Sequence, residues 1–200
     1  MKKIVFLWVM AIGFTSFAQD FKIGLTLAPT INFNKNQIKI NDTWTSTDGT
    51  GGLGWKGGLL ADYNFSGNYN IHSGLLIHSK ALNSDNSNNV TLTTLEIPLA
   101  LKLRSNEVSD NVHVTGFFGG TFDLNVDAKS KDNNGNEISV INSFNTFGMS
   151  FMAGAGVEYD LDFGSIGLGL SYHLGFTDIS SSDMFKTLPK HLSIDLVFYF

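Results

Sequence analysis

TLEIPLALKLR, residues 94–104, places Leu95, Ile97, Leu99, Leu101 and Leu103 on one parity and Glu96, Pro98, Ala100, Lys102 and Arg104 on the other. A period of two is the pleat of a β-strand, whose successive side chains point to opposite faces. One face is unbroken aliphatic surface. The other mixes charges of both signs with small residues, so the strand divides an apolar medium from a polar one.

The same alternation recurs along the chain. HLSIDLVFYF (191–200) sets Leu192, Ile194, Leu196, Phe198 and Phe200 against His191, Ser193, Asp195 and Tyr199, with Val197 the aliphatic exception. Residues 21–28, 55–65, 69–80, 112–126, 147–161 and 166–176 repeat it, which brings the strands to eight. Connections at 66–68, 105–111 and 162–164 are short, whereas 30–54, 82–91, 128–145 and 177–189 are longer and polar. Short turns on one side and long loops on the other predict an all-β fold, an eight-stranded antiparallel transmembrane β-barrel of the small outer-membrane kind.

Alternation alone suits a water-soluble barrel with the faces reversed as well as a barrel in lipid. The polar face decides for lipid. It carries Lys56, Asp62, Glu96, Lys102, Arg104, Asp123, Glu158 and Asp195 among glycines and serines. The interior of eight strands is only just wide enough for side chains, so small residues and pairable charges are what fits. Aromatics such as Trp55, Tyr63, Phe65, Tyr69, Phe147, Tyr159 and Phe176 gather toward strand ends, as interfacial girdles do. These eight charges are expected to form an interior polar network, with Glu96 paired to a base from its own or a neighbouring strand, since an unpaired buried carboxylate is costly. Pro98 lacks an N–H, and a local bulge is expected there.

The first 18 residues read as a cleavable signal peptide: Lys2 and Lys3, an apolar run over 4–14, then Ser16 and Ala18 flanking Phe17. The run is shorter than the roughly 20 residues of a spanning helix. Residues 19–200 then form one barrel domain. Without Lys2 and Lys3 the chain holds 11 basic and 18 acidic residues, a formal charge of −7. That charge and the lack of a basic cluster argue against nucleic acid as a partner. The chain has no cysteine, which excludes a disulfide scaffold and a lipid-modified N-terminus.

Leu95, Glu96, Ile97, Pro98 and Leu99, together with FKIGLTLAP (21–29) and the closing strand, resemble the Bacteroidetes outer-membrane β-barrel family that includes the PorT proteins. Thr94 stands where members often carry an aromatic. The resemblance implies residence in the outer membrane among its lipids, and for the PorT subgroup a part in protein secretion. Phe198 and Phe200, on the apolar parity, resemble the C-terminal signal read by the barrel assembly machinery.

Catalysis and cofactors find little support in the residues. His72 and His78 share an inward parity but stand six residues apart, about 20 Å along a strand. His113, His173 and His191 belong to other strands, so the histidines read as polar filling rather than a metal site. A lipid-modifying hydrolase would need Ser and His together on the lipid face, where Ser73 and Ser79 have no histidine on their parity. No catalytic residue, metal or cofactor is assigned. Eight strands leave no open channel either. What remains is a scaffold or interaction role, with a protein partner met through the loops or the periplasmic turns. Ile38, Ile40, Trp44, Ile138, Val140, Met184 and Phe185 are the apolar loop candidates, and the segments that carry them equally suit strand extensions above the membrane.

Overall fold

Every alternating run of the sequence is a strand. The computed structural model describes residues 20–40, 42–48, 52–84, 87–131, 136–182 and 185–200, and the expected signal segment lies outside them. The strands are β1 (Phe21–Ile40), β2 (Thr43–Asp48), β3 (Gly52–Ser66), β4 (Tyr69–Ser84), β5 (Ser87–Arg104), β6 (Val112–Lys131), β7 (Glu137–Ser139), β8 (Phe147–Leu161), β9 (Gly164–Gly175) and β10 (Phe185–Tyr199). β1, β3, β4, β5, β6, β8, β9 and β10 pair antiparallel in that order, and β10 returns to β1. The barrel therefore has eight staves and no free edge.

The outward parity is apolar around the whole circumference. Leu25, Leu59, Leu75, Leu99, Phe118, Val157, Leu168 and Ile194 are each about half exposed. An apolar belt of this extent in water would be an aggregation surface, whereas in a bilayer it is the solvated face. Phe21 with Tyr63, Phe65 with Tyr69 and Phe163 with Phe198 form ring pairs with centroids 5.2–6.3 Å apart at the end that carries the short turns. No helix among the described residues is long and apolar enough to cross a membrane, so crossing falls to the strands.

Two expectations are corrected, and one open alternative is decided. The first concerns Pro98. Glu96 through Arg104 keep a constant register with β6, and the bulge between β5 and β6 falls instead at Thr93/Thr94, where Val126 has no partner. The missing N–H faces β4, and the pairing there skips two positions without a change of register. Ser73 Oγ donates to the Pro98 carbonyl at 2.9 Å, so a side chain rather than a bulge absorbs the proline.

The open alternative concerns the long connections, most of which are strand. β1 runs on to Ile40, where its far half pairs with β2 on one side and with 185–188 of β10 on the other. β4 and β5 continue until only residues 85–86 separate them, and β6 pairs with β7. The outward positions of these extensions are polar because they stand beyond the lipid, so they carry no apolar alternation.

The second correction concerns the interior, which is not polar throughout. Leu60, Leu76, Ala100 and Met152 are buried on the inward parity and form an apolar waist between two polar groups. A cavity of about 70 Å³ adjoins it.

Candidate functional site

The inward face of the staves holds all eight charges expected there. In the half toward the short turns, Lys102 Nζ donates to Asp62 at 2.6 Å, to Glu158 at 3.2 Å and to the Tyr199 hydroxyl at 3.0 Å. Arg104 reaches Glu158 at 2.9 Å and Asp160 at 2.6 Å, and Lys22 reaches Glu158 at 3.2 Å. His72 Nδ1 donates to Asp62 at 2.5 Å. The inward pleat of β3, β5 and β8 delivers these groups to one level, and a second cavity of about 180 Å³ lies among them.

Beyond the waist, Lys56 meets Asp195 at 3.1 Å. Glu96 accepts from Lys80 at 3.0 Å and from His78 Nδ1 at 2.6 Å, so its base comes from neighbouring β4. Lys80 also stands 3.6 Å from Asp123, which accepts from Ser150. The two polar groups thus divide the eight charges between them.

Sequence reasoning did not place Lys22, Lys80 or Tyr199 in the network, nor the histidines as a set. Lys80 sits on the inward parity two residues past His78, which was the available signal. His173 and His191 pair directly across β9 and β10, and their rings stack at 4.0 Å. His78 meets His191 edge-on at 4.5 Å across the lumen. His72 lies with Asp62 in the other group, and His113 Nε2 approaches Asp160 at 3.2 Å.

The end with the long hairpins carries an apolar cap. Leu82, Leu92, Ala128 and Ile179 are buried together, with Val90, Val140, Ile141 and Phe144 packed against them. Asn145 holds this cap by donating from Nδ2 to the carbonyls of Asp178 and Ser180 at 2.9 and 2.8 Å. Ser181 Oγ donates to the Asn142 carbonyl at 3.0 Å. Of the apolar loop candidates, Val140 is therefore part of the cap. Ile138 is exposed, and Trp44 lies under the Lys186 ammonium, 4.3 Å from its ring centroid. The side chains of Ile38, Ile40, Met184 and Phe185 lie outside what is described. Beyond the membrane span, the Glu137 carboxylate accepts from Lys129 at 3.0 Å and raises its pKa.

Phe198 and Phe200 stand outward on the closing strand with ring centroids 6.2 Å apart, and the Phe200 N–H donates to the Ile23 carbonyl at 3.0 Å.

Comparison with known proteins agrees with this architecture. The family described as "Outer membrane protein beta-barrel domain" matches residues 17–181. No curated protein sequence matches the chain. Among solved structures, the outer membrane protein OprG from Pseudomonas aeruginosa is similar with a TM-score of 0.51 at 12% identity, over 90% of this chain and 96% of that one. Neisserial surface protein A has a TM-score of 0.49 at 12% identity, over 88% of this chain and 97% of that one. At such identity the OprG likeness concerns the fold alone.

Proposed function

The chain belongs to the outer membrane protein beta-barrel domain family and lies in the outer membrane, and from there we propose that it is a non-catalytic scaffold that engages partners through its outer hairpins or periplasmic turns. The observation that carries this reading is how the described side chains fill the lumen. The cap around Ile179 covers one end, and cross-lumen ion pairs fill the space beneath it. A channel would need a continuous wet path, and paired charges across a narrow barrel oppose one.

A non-catalytic role is supported by the histidines. All five are directed inward and buried, while Ser73 on the lipid face is occupied with the Pro98 carbonyl. The sheet of β2, the outer half of β1 and the start of β10 offers a rigid surface beyond the membrane, with Trp44 exposed on it. Scaffolded outer segments of this kind are where binding residues concentrate. Residues 1–18 fit this role as the export signal.

Two measurements test the proposal together. Purified protein in a planar bilayer should give no steady conductance, and regular single-channel steps would overturn the reading. Crosslinking on intact cells should capture partners that are lost when residues 40–46 are replaced by a short turn. Recovery of the same proteins from both strains would place the contact elsewhere.

A second reading, an accessory of a protein secretion system of the PorT kind, is favoured by Leu95-Glu96-Ile97-Pro98-Leu99. It predicts that a deletion strain loses a set of proteins from its culture medium. An unchanged secreted set would dispose of it.

A further inference from the structure

Four strands bring three imidazoles and a carboxylate to one point inside the barrel: His78 from β4, Glu96 from β5, His173 from β9 and His191 from β10. One nitrogen or oxygen from each of His78, Glu96 and His191 lies within 4.8 Å of the other two. The three side chains are 0%, 1% and 3% exposed. Among the described residues Glu96 Oε2, His191 Nε2 and His173 Nδ1 are buried without a hydrogen-bond partner. Buried polar atoms are nearly always satisfied, so three such atoms in one cluster call for a ligand.

Charge points to what the ligand is. This half of the lumen holds the carboxylates of Glu96, Asp123 and Asp195 against the ammonium groups of Lys56 and Lys80. With neutral imidazoles one negative charge is left over, shared by Glu96 and Asp123 on either side of Lys80. Two imidazoles and a carboxylate form a donor set that suits divalent zinc and its first-row neighbours.

We propose that His78, Glu96 and His191 bind a divalent transition-metal ion of the zinc type, with a water as the fourth ligand. Donors around tetrahedral zinc stand about 3.4 Å apart, so the existing cluster has to close by about 1 Å. The ion takes the place of the proton between His78 Nδ1 and Glu96, and that proton passes to His78 Nε2, where it is donated in a hydrogen bond to Thr30 Oγ1. Lys80 has somewhere to go: its ammonium already reaches toward Asp123, whose Oδ1 has no partner among the described residues. Thr30 Oγ1, 3.2 Å from His78 Nε2, fixes the ring that delivers Nδ1 to the ion. The site staples β4, β5 and β10 across the lumen, which is a structural use of the metal.

The test uses the whole protein purified from membranes without a histidine tag and stripped with a chelator. Titration with cobalt(II) should give the visible bands of a four-coordinate site at one equivalent, and zinc should displace them. X-ray absorption of the zinc form should show imidazole ligands. Glu96→Gln and His191→Asn should each weaken binding at least about tenfold, while His113→Asn should not. Migration before and after boiling reports that each variant is folded. A featureless cobalt titration of the unmodified protein would overturn the proposal even if the variants did not fold. So would zinc binding that is unchanged in a folded Glu96→Gln, His191→Asn double variant.

Discussion

Lys56 of β3 and Asp195 of β10 meet across the lumen at 3.1 Å, with side chains only 5% and 15% exposed. They belong to strands separated by β1, so the pair braces the barrel through its interior rather than along a seam. Asp195 also accepts from Ser171 at 2.6 Å, whereas among the described residues Lys56 has besides only Ser171 and His173, at 3.5 and 3.3 Å.

Removing the carboxylate therefore strands a buried ammonium. Asp195→Asn should destabilise the barrel by about 3–5 kcal/mol, the usual cost of breaking a buried pair from one side. The readout is the denaturant midpoint for loss of the fast-migrating unboiled band. Replacing both partners by Lys56→Met and Asp195→Leu should recover most of that loss. A double variant weaker than Asp195→Asn would mean that the pair itself stabilises the barrel.

The Ser73 hydroxyl on the Pro98 carbonyl makes a second, smaller prediction. It satisfies an acceptor at a place where the proline has loosened the ladder and where the neighbouring face is lipid. Ser73→Ala should cost about 0.6 kcal/mol, the average for hydrogen bonds within membranes, and no more than about 1.7 kcal/mol, the largest measured. Ser79→Ala, six residues further along the same face, provides the comparison. Equal effects from the two would show that the contact to Pro98 is unimportant.

The eight staves were legible because lipid on one side and a narrow polar lumen on the other impose the same period on every strand. TLEIPLALKLR carries that constraint in nearly every residue. The outer extensions were illegible for the converse reason: at Lys35, Asn36 and Gln37 both faces of β1 meet water, and no alternation is required. Leu60 and Leu76 misled in another way, since apolar residues on the inward parity look like lapses in the pattern until the waist is seen. The histidine cluster was half legible. Parity placed His78, His173 and His191 inside, but which inward residues share a level depends on the stagger between strands, and one sequence does not state it.

Phe198 and Phe200 separate stability from assembly. Both rings stand outward at the edge of the lipid, and Phe200 is 60% exposed, so its removal opens no cavity in the interior. Phe200→Ala should leave the denaturant midpoint of barrel refolded in detergent within about 1 kcal/mol of the parent, the scale of surface substitutions. We propose that the aromatic is read by the assembly machinery, so the variant's yield in the outer membrane of cells should nevertheless fall severalfold. Normal yield in cells would rule out that role.

Adjacent glycines on β6 give the sharpest test of which way the wall faces. Gly119 points inward, and a Cβ built on it would overlap the Leu99 carbonyl oxygen and the Ala100 Cα of β5, both of them backbone. Gly120 points outward, where a Cβ would stand 3.4 Å from the Ser150 carbonyl oxygen, an ordinary contact. β5 is locked on its other side by Ser73 and by the register with β4, so it cannot retreat from Gly119 without breaking that seam. Gly119→Ala should cost about 1–3 kcal/mol, the range for overpacking, or abolish the folded band altogether. Gly120→Ala adds one methyl to the lipid face and should change stability by less than about 0.5 kcal/mol. If the order of the two were reversed, the pleat of β6 would be inverted and the inward assignment of Asp123 and Thr121 would be lost with it.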